Sequence, residues 1–234
     1  MDFNSLSELL LNQSCQIRYA TTSLHQLNNL TAEQLPEVNF GGSDKRNREY
    51  LLGRLATKDA LGLLGYPPTW VDRDSFTKSP VWPQGLAGSI SHSSGLALAV
   101  VCESPPILSM GVDLEKANRA IDLRVARHVC TPEESEDLHH LEQEKRTNRL
   151  LMTFSAKESL YKCFFGKIPK VLLRFQNVTL NWESNKWTAH WQFPPGTEFS
   201  IDTTVGYWGI DLNWLWTVCW RCQGGFFKKQ FQND

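Results

Sequence analysis

Two short segments of the chain, GVDLE at 111–115 and FSAKESLYK at 154–162, set carboxylates and ammonium groups among apolar residues. In a strand, alternate side chains share a face, so Asp113 and Glu115 would point the same way about 7 Å apart, with Val112 and Leu114 packed behind. FSAKESLYK lies in a run that reads as a helix apolar nearly all round (Leu150, Leu151, Met152, Phe154, Ala156, Leu160, Tyr161, Cys163, Phe164, Phe165), which predicts burial. Buried charges need partners. If Glu158 faces Asp113 and Glu115, three carboxylates meet, and a hard divalent cation would make that burial tolerable. Simpler readings exist for each piece alone: a Glu158–Lys162 helix pair worth about 0.3 kcal/mol, and a solvated strand edge for Asp113 and Glu115.

Mg²⁺ combines a few carboxylates with water and substrate phosphate oxygens, so such a site calls for a phosphorylated substrate. His92, in SISHSS between a turn and a strand, could donate to a phosphate. Arg46, Arg54 and Lys58 recur at helical spacing and could present several cations on one ridge; a solvated face is the ordinary alternative.

The elements that must carry these residues are legible in outline. Ser43 or Asp44 caps a helix that runs to Leu64 and ends at Gly65, ahead of Pro67 and Pro68. Alternation and β-branching predict a strand over 95–102, and ILSMGVDLE follows the Pro105–Pro106 break as a second strand. After Glu115, the spacing of Ala117, Ile121 and Val125 predicts a helix, and TPEES at 131–135 predicts a capped start for another. The long apolar helix follows. LLRFQNVTLNW and KWTAHWQF read as strands joined by the turn ESN, and NWLWTVCW as a further strand. The pattern is α+β, in two halves of similar make-up, 1–110 and 111–234.

Composition narrows the function further. A formal net charge of −1 over 234 residues argues against a nucleic-acid partner. Seven of nine tryptophans lie beyond residue 180 in strand-like alternation, which suits sheet packing better than base stacking. MDFNSLSELLLNQ has no basic leader region, and no stretch reaches the ~18 apolar residues of a membrane span. The six cysteines read as cytoplasmic thiols, and the Cys219/Cys222 pair lacks the second pair that zinc needs.

Taken in order, these segments resemble the 4'-phosphopantetheinyl transferases, in the long single-chain class and its enterobactin-synthetase-type branch. GVDLE matches G-[IV]-D-x-E, FSAKESLYK matches [WF]-x-x-K-E-[SA]-x-x-K, and SISHS at 89–93 matches S-x-[ST]-H; KSPVWP and LLGR fit the branch. The resemblance implies a pseudo-dimer of two similar α+β subdomains with the active site in the cleft between them. It implies Mg²⁺ on Asp113, Glu115 and Glu158, with Asp113, Glu158 and Lys162 catalytic. Contacts to coenzyme A fall on Arg46, Arg54, Lys78, Ser91, His92, Lys157 and Lys162, with Arg48 and Thr77 as alternatives to Arg46 and Lys78. The implied reaction moves 4'-phosphopantetheine from coenzyme A to a serine of an apo carrier protein and releases adenosine 3',5'-bisphosphate. Residues 1–110 would supply the coenzyme A contacts and 111–234 the metal ligands and carrier docking, in a cytoplasmic monomer. The basic stretch KANRAIDLRVARHV at 116–129 is the expected docking segment. A Mg²⁺-dependent phosphohydrolase and a non-catalytic coenzyme A-binding module are the alternatives.

Overall fold

The computed structural model describes residues 3–13, 16–36, 43–197, 199–223 and 227–229. In chain order the elements are α1 (Asn4–Leu11), β1 (Ile17–Ser23), α2 (Leu24–Asn28), α3 (Asp44–Leu63), the short β2 (Asp72–Arg73) and β3 (Pro80–Val81), β4 (Leu86–Ser93), β5 (Leu96–Glu103) and β6 (Ile107–Lys116). Then come α4 (Ala126–Val129), α5 (Pro132–His139), α6 (Gln143–Phe164), β7 (Val178–Glu183), β8 (Lys186–Trp191), β9 (Phe199–Ile201), β10 (Thr204–Asp211), β11 (Trp214–Cys222) and β12 (Phe227–Lys229).

The fold is α+β. Two antiparallel sheets, ordered β1-β5-β4 and β6-β11-β10-β8-β7, each carry one long helix. α3 packs on β1 and β5; α6 packs on β6 and β11. α3 begins where predicted, with Ser43 Oγ accepting from Arg46 N, and Gly65 beyond its end takes a φ of +89° that other residues avoid.

The sequence LALAVVC in β5 is apolar at every position because both faces of the strand are covered. Leu96, Leu98, Val100 and Cys102 face one core; Ala97, Ala99 and Val101 face a second core beneath α3. The first core also contains Phe3, Leu6 and Leu10 from the N-terminal region and Val112, Leu114, Trp214, Trp216 and Val218 from the second sheet. Each fully buried Leu contributes about 2 kcal/mol, so this shared core is a substantial bond between the halves.

Asp211, on the second sheet, fastens α1 there. Its carboxylate accepts from Ser5 N (3.1 Å), Ser5 Oγ (2.5 Å), Leu6 N (3.3 Å) and Trp216 Nε1 (2.9 Å). The expected boundary between residues 110 and 111 falls inside β6, and α1 packs with strands from both sides of it.

Two local expectations fail. The helix expected over 117–125 is absent: Ala117 N binds Asn213 O at 2.9 Å, and helical turns begin only at Leu123, where the Asp122 side chain accepts from Arg124 N. The strand expected from Leu172 starts only at Val178, because residues 175–177 form a 3₁₀ turn. The capping box at Thr131 is present, with Glu134 closing it.

Candidate active site

The two sheets meet at β4 and β6, and side chains make the join. Ser89 Oγ accepts from Val112 N at 3.0 Å and Ser91 Oγ from Leu114 N at 3.2 Å. Strand alternation turns Ser89, Ser91 and Ser93 toward this seam and leaves Ile90 and His92 on the side of α3. The motif SISHS therefore does two jobs with one period.

On β6 the same alternation sends Val112 and Leu114 into the core and Gly111, Asp113 and Glu115 toward α6. α6 approaches closely because residue 111 is glycine: a Cβ there would sit 1.8 Å from Ser159 O. Ser155, Glu158, Ser159 and Lys162, spaced three and four apart, form the helix face that meets this strand pair.

Lys162 does not simply pair with Glu158. Its ammonium donates to Asp113 Oδ1 (2.8 Å), Val112 O (2.9 Å) and Ser91 Oγ (3.0 Å), which accounts for all three protons. Ser91 in turn donates to Asp113 Oδ1 at 2.8 Å. Glu115 is held from two sides: Ser93 Oγ donates to Oε2 at 2.8 Å and Arg119 Nη1 to Oε1. Burial pushes the Glu158 carboxyl above the ordinary carboxylate range; Lys162 opposes the shift, and Asp113 and Glu115 reinforce it.

Among the described residues, no three His, Cys, Asp or Glu side chains already converge as a ready-made metal cage. The donor set nevertheless fits a hard cation that retains waters. Asp113 Oδ2 is buried without a hydrogen-bond partner, and Glu158 carries the penalty of lost water; a dication beside them would relieve both.

On the α3 side of β4, a cavity of about 380 Å³ is lined by Arg46, Arg54, Arg73, Lys78 and His92, with Tyr50 and a single carboxylate, Glu49, beside them. Arg54 is 4% exposed, its guanidinium lies 4.7 Å over the Tyr50 ring, and its Nε and Nη1 have no hydrogen-bond partner. A buried guanidinium with free donors fits an anion, phosphate above all. Arg48 lines a different cavity, with Leu52 and Ser94. Thr77 is engaged by Asp74 and Ser79, and the Lys78 ammonium donates to Ser75 O; Lys78 lines this cavity, and both residues line a neighbouring one of about 500 Å³ walled by Trp82, Leu108, Tyr161 and Lys162. The two cavities thus share Lys78 at their border.

His92 is exposed at its edge, yet partial loss of water holds its imidazole below the ordinary value of 6.5, against the pull of Glu49, Asp113 and Glu115 and with the push of Lys162. It therefore borders the cation-lined cavity and feels the carboxylate seam as well.

Two sequence expectations need correcting. Lys157 is not at the cleft: it is 1% exposed, and its ammonium is consumed by Glu134 Oε2 (2.5 Å), Val129 O (2.9 Å) and Phe175 O (3.0 Å). Burial lowers its pKa and Glu134 resists. Ser91 is not open to a ligand either; it is 5% exposed at the seam, with its hydroxyl saturated. Sequence reasoning missed Arg73, Tyr50 and Ser93, and it placed Arg119 in the docking segment without its contact to Glu115. For Ser93, the S-x-S-x-S alternation carried the signal.

Two family models match the chain: the 4'-phosphopantetheinyl transferase N-terminal domain over residues 41–102, and the 4'-phosphopantetheinyl transferase superfamily over residues 109–217. Enterobactin synthase component D of Shigella flexneri is 34% identical over 158 residues, covering 63% of this chain and 72% of that protein. The 4'-phosphopantetheinyl transferase PptT of Mycobacterium tuberculosis is 30% identical over 183 residues, covering 74% and 78%. The 4'-phosphopantetheinyl transferase Npt of Nocardia iowensis is 32% identical over 122 residues, covering 52% and 53%. The chain belongs to the 4'-phosphopantetheinyl transferase superfamily and is an enzyme of that class.

Proposed function

We propose that the enzyme transfers 4'-phosphopantetheine from coenzyme A to a serine hydroxyl of an apo carrier protein in a Mg²⁺-dependent reaction that releases adenosine 3',5'-bisphosphate. The observation that carries this reading is the position of His92, which borders the cavity of Arg46, Arg54 and Lys78 and lies within electrostatic reach of Asp113, Glu115 and Lys162. An anion-binding cavity beside a carboxylate seam suits a substrate with several phosphates.

In this reading Arg54, Arg46, Lys78 and His92 bind the phosphates of coenzyme A. Asp113, Glu158 and Glu115 would hold Mg²⁺, which supplies neutralisation of charge on the pyrophosphate. Lys162 keeps Asp113 in place and adds a positive charge beside the reacting phosphate. Glu158 accepts the proton of the carrier serine as its oxygen bonds to phosphorus and the bond to the bridging oxygen breaks. Residues 1–110 serve mainly coenzyme A and 111–234 the metal and carrier. A single chain furnishes both sets, which supports action as a monomer, and six cysteines spread over 234 residues suit the cytoplasm. The enterobactin synthase name of one relative favours a carrier of a siderophore synthase, among the siderophore, peptide, polyketide and fatty-acid carriers that the reaction could serve. The docking segment is residues 116–129, where four cations stand against Asp122 alone, a net +3.

The test follows two products of one reaction containing coenzyme A, Mg²⁺ and an apo carrier. Holo-carrier and adenosine 3',5'-bisphosphate should appear in equal amounts, and neither should form when the carrier serine is replaced by alanine. Nucleotide release without carrier modification would overturn the reading in favour of a hydrolase. Coenzyme A binding with no product would make the protein a binding module.

A further inference from the structure

Glu115 differs from its two acidic neighbours. It is 6% exposed and both of its oxygens are occupied, Oε2 by Ser93 and Oε1 by Arg119. Asp113 keeps an unpartnered Oδ2. The two holders of Glu115 are also unlike each other. Ser93 belongs to the seam between the sheets. Arg119 comes from the turn that follows β6, where its backbone N–H binds Lys116 O at 2.9 Å, and its guanidinium lies 6.0 Å over the Phe154 ring. Its side chain is 44% exposed and opens onto the basic segment that begins at Lys116.

The same guanidinium therefore faces a buried carboxylate on one side and solvent on the other. A positive charge resting on Glu115 disfavours a second cation there. An acidic side chain arriving from solvent would compete for that guanidinium and weaken its hold on Glu115.

We propose that Arg119 is a carrier-responsive positioning residue: it holds Glu115 in the free enzyme and turns to an acidic group of the docked carrier, leaving Glu115 to the cation. The proposal rests on the transferase reading above and adds a coupling between carrier docking and cation affinity. That coupling is reciprocal, so carrier must tighten cation binding by the factor by which cation tightens carrier binding.

The test uses Mn²⁺ as the probe, with free Mn²⁺ read by electron paramagnetic resonance in the presence of the full chain and coenzyme A. Wild type is compared with Arg119→Gln, each with and without an acidic peptidyl carrier domain whose reactive serine is replaced by alanine. In wild type the carrier should tighten Mn²⁺ binding at least about fivefold. Arg119→Gln without carrier should already bind Mn²⁺ tighter than wild type, and carrier should change it little; Arg119→Lys should keep part of the coupling. Thermal melting confirms that each variant is folded. Equal tightening by carrier in wild type and Arg119→Gln, no tightening in wild type, or weaker Mn²⁺ binding in the variant would each overturn the proposal. Transfer by wild type to the unmodified carrier, followed by mass spectrometry, tests the parent reading separately. Transfer without coupling sinks only the role of Arg119, and no transfer sinks the parent reading.

Discussion

The Ser91 hydroxyl donates to Asp113 Oδ1 at 2.8 Å while accepting from Lys162 Nζ and Leu114 N. One small group on the first sheet thus aims a carboxylate of the second sheet and fills the donor and acceptor capacity of its own oxygen. Ser91→Ala should lower turnover by about 10- to 100-fold, the usual cost of losing a ligand's supporting partner, with little change in the Michaelis constant for coenzyme A. Steady-state kinetics decide the point. A raised Michaelis constant with normal turnover would return Ser91 to direct phosphate contact.

Gly111 lets α6 lie against β6. Gly111→Ala places a Cβ 1.8 Å from Ser159 O and 2.8 Å from Cys163 N, both backbone atoms that cannot swing aside. The expected cost is about 3 kcal/mol or more, read by denaturant unfolding. Gly62→Ala, on α3 with open space around it, should instead stabilise by about 0.5–1 kcal/mol. Similar effects at the two sites would contradict the close packing at Gly111.

Glu134 closes a capping box and also receives Lys157 and Leu180 N. Glu134→Gln strands a buried ammonium and should cost about 3–5 kcal/mol. Lys157→Met should cost less, because Glu134 retains the Thr131 and Leu180 donors. The double variant should recover part of the loss, and purely additive losses in unfolding experiments would refute the pairing.

His92 is held below its ordinary pKa, so the folded chain favours the neutral ring. Its protonation costs stability as pH falls below about 6.5. A bound phosphate favours the charged ring and should draw a proton in. Coenzyme A affinity in wild type should therefore gain as pH drops through that range, and His92→Ala should lose this component several-fold. Calorimetric titrations with parallel pH profiles for the two proteins would show that His92 does not meet the phosphate.

The sequence disclosed the parts of this architecture that local chemistry specifies. Ser43 and Gly65 bracket α3, Thr131 and Glu134 start α5, and the alternation in GVDLE puts Asp113 and Glu115 on one face. It did not disclose what long-range contacts specify. Ala117, Ile121 and Val125 have helical spacing, yet the backbone at Ala117 is claimed by Asn213 from the far hairpin. No local signal marks α1 in MDFNSLSELLLNQ; Asp211, more than 200 residues away in the chain, accepts from Ser5 N and Leu6 N in its first turn. Lys157 and Lys162 look alike in FSAKESLYK; only the positions of Glu134 and Asp113 send one into the core and the other into the seam.

The central claim is that the seam of Asp113, Glu158 and Lys162 carries out transfer to a carrier serine. Its most direct measurement is the intact mass of an apo carrier after incubation with coenzyme A, Mg²⁺ and either the wild-type chain or Asp113→Ala. The account predicts one added phosphopantetheine with wild type and none with a folded Asp113→Ala. Modification by Asp113→Ala at the wild-type rate, or an unmodified carrier with both, would contradict it.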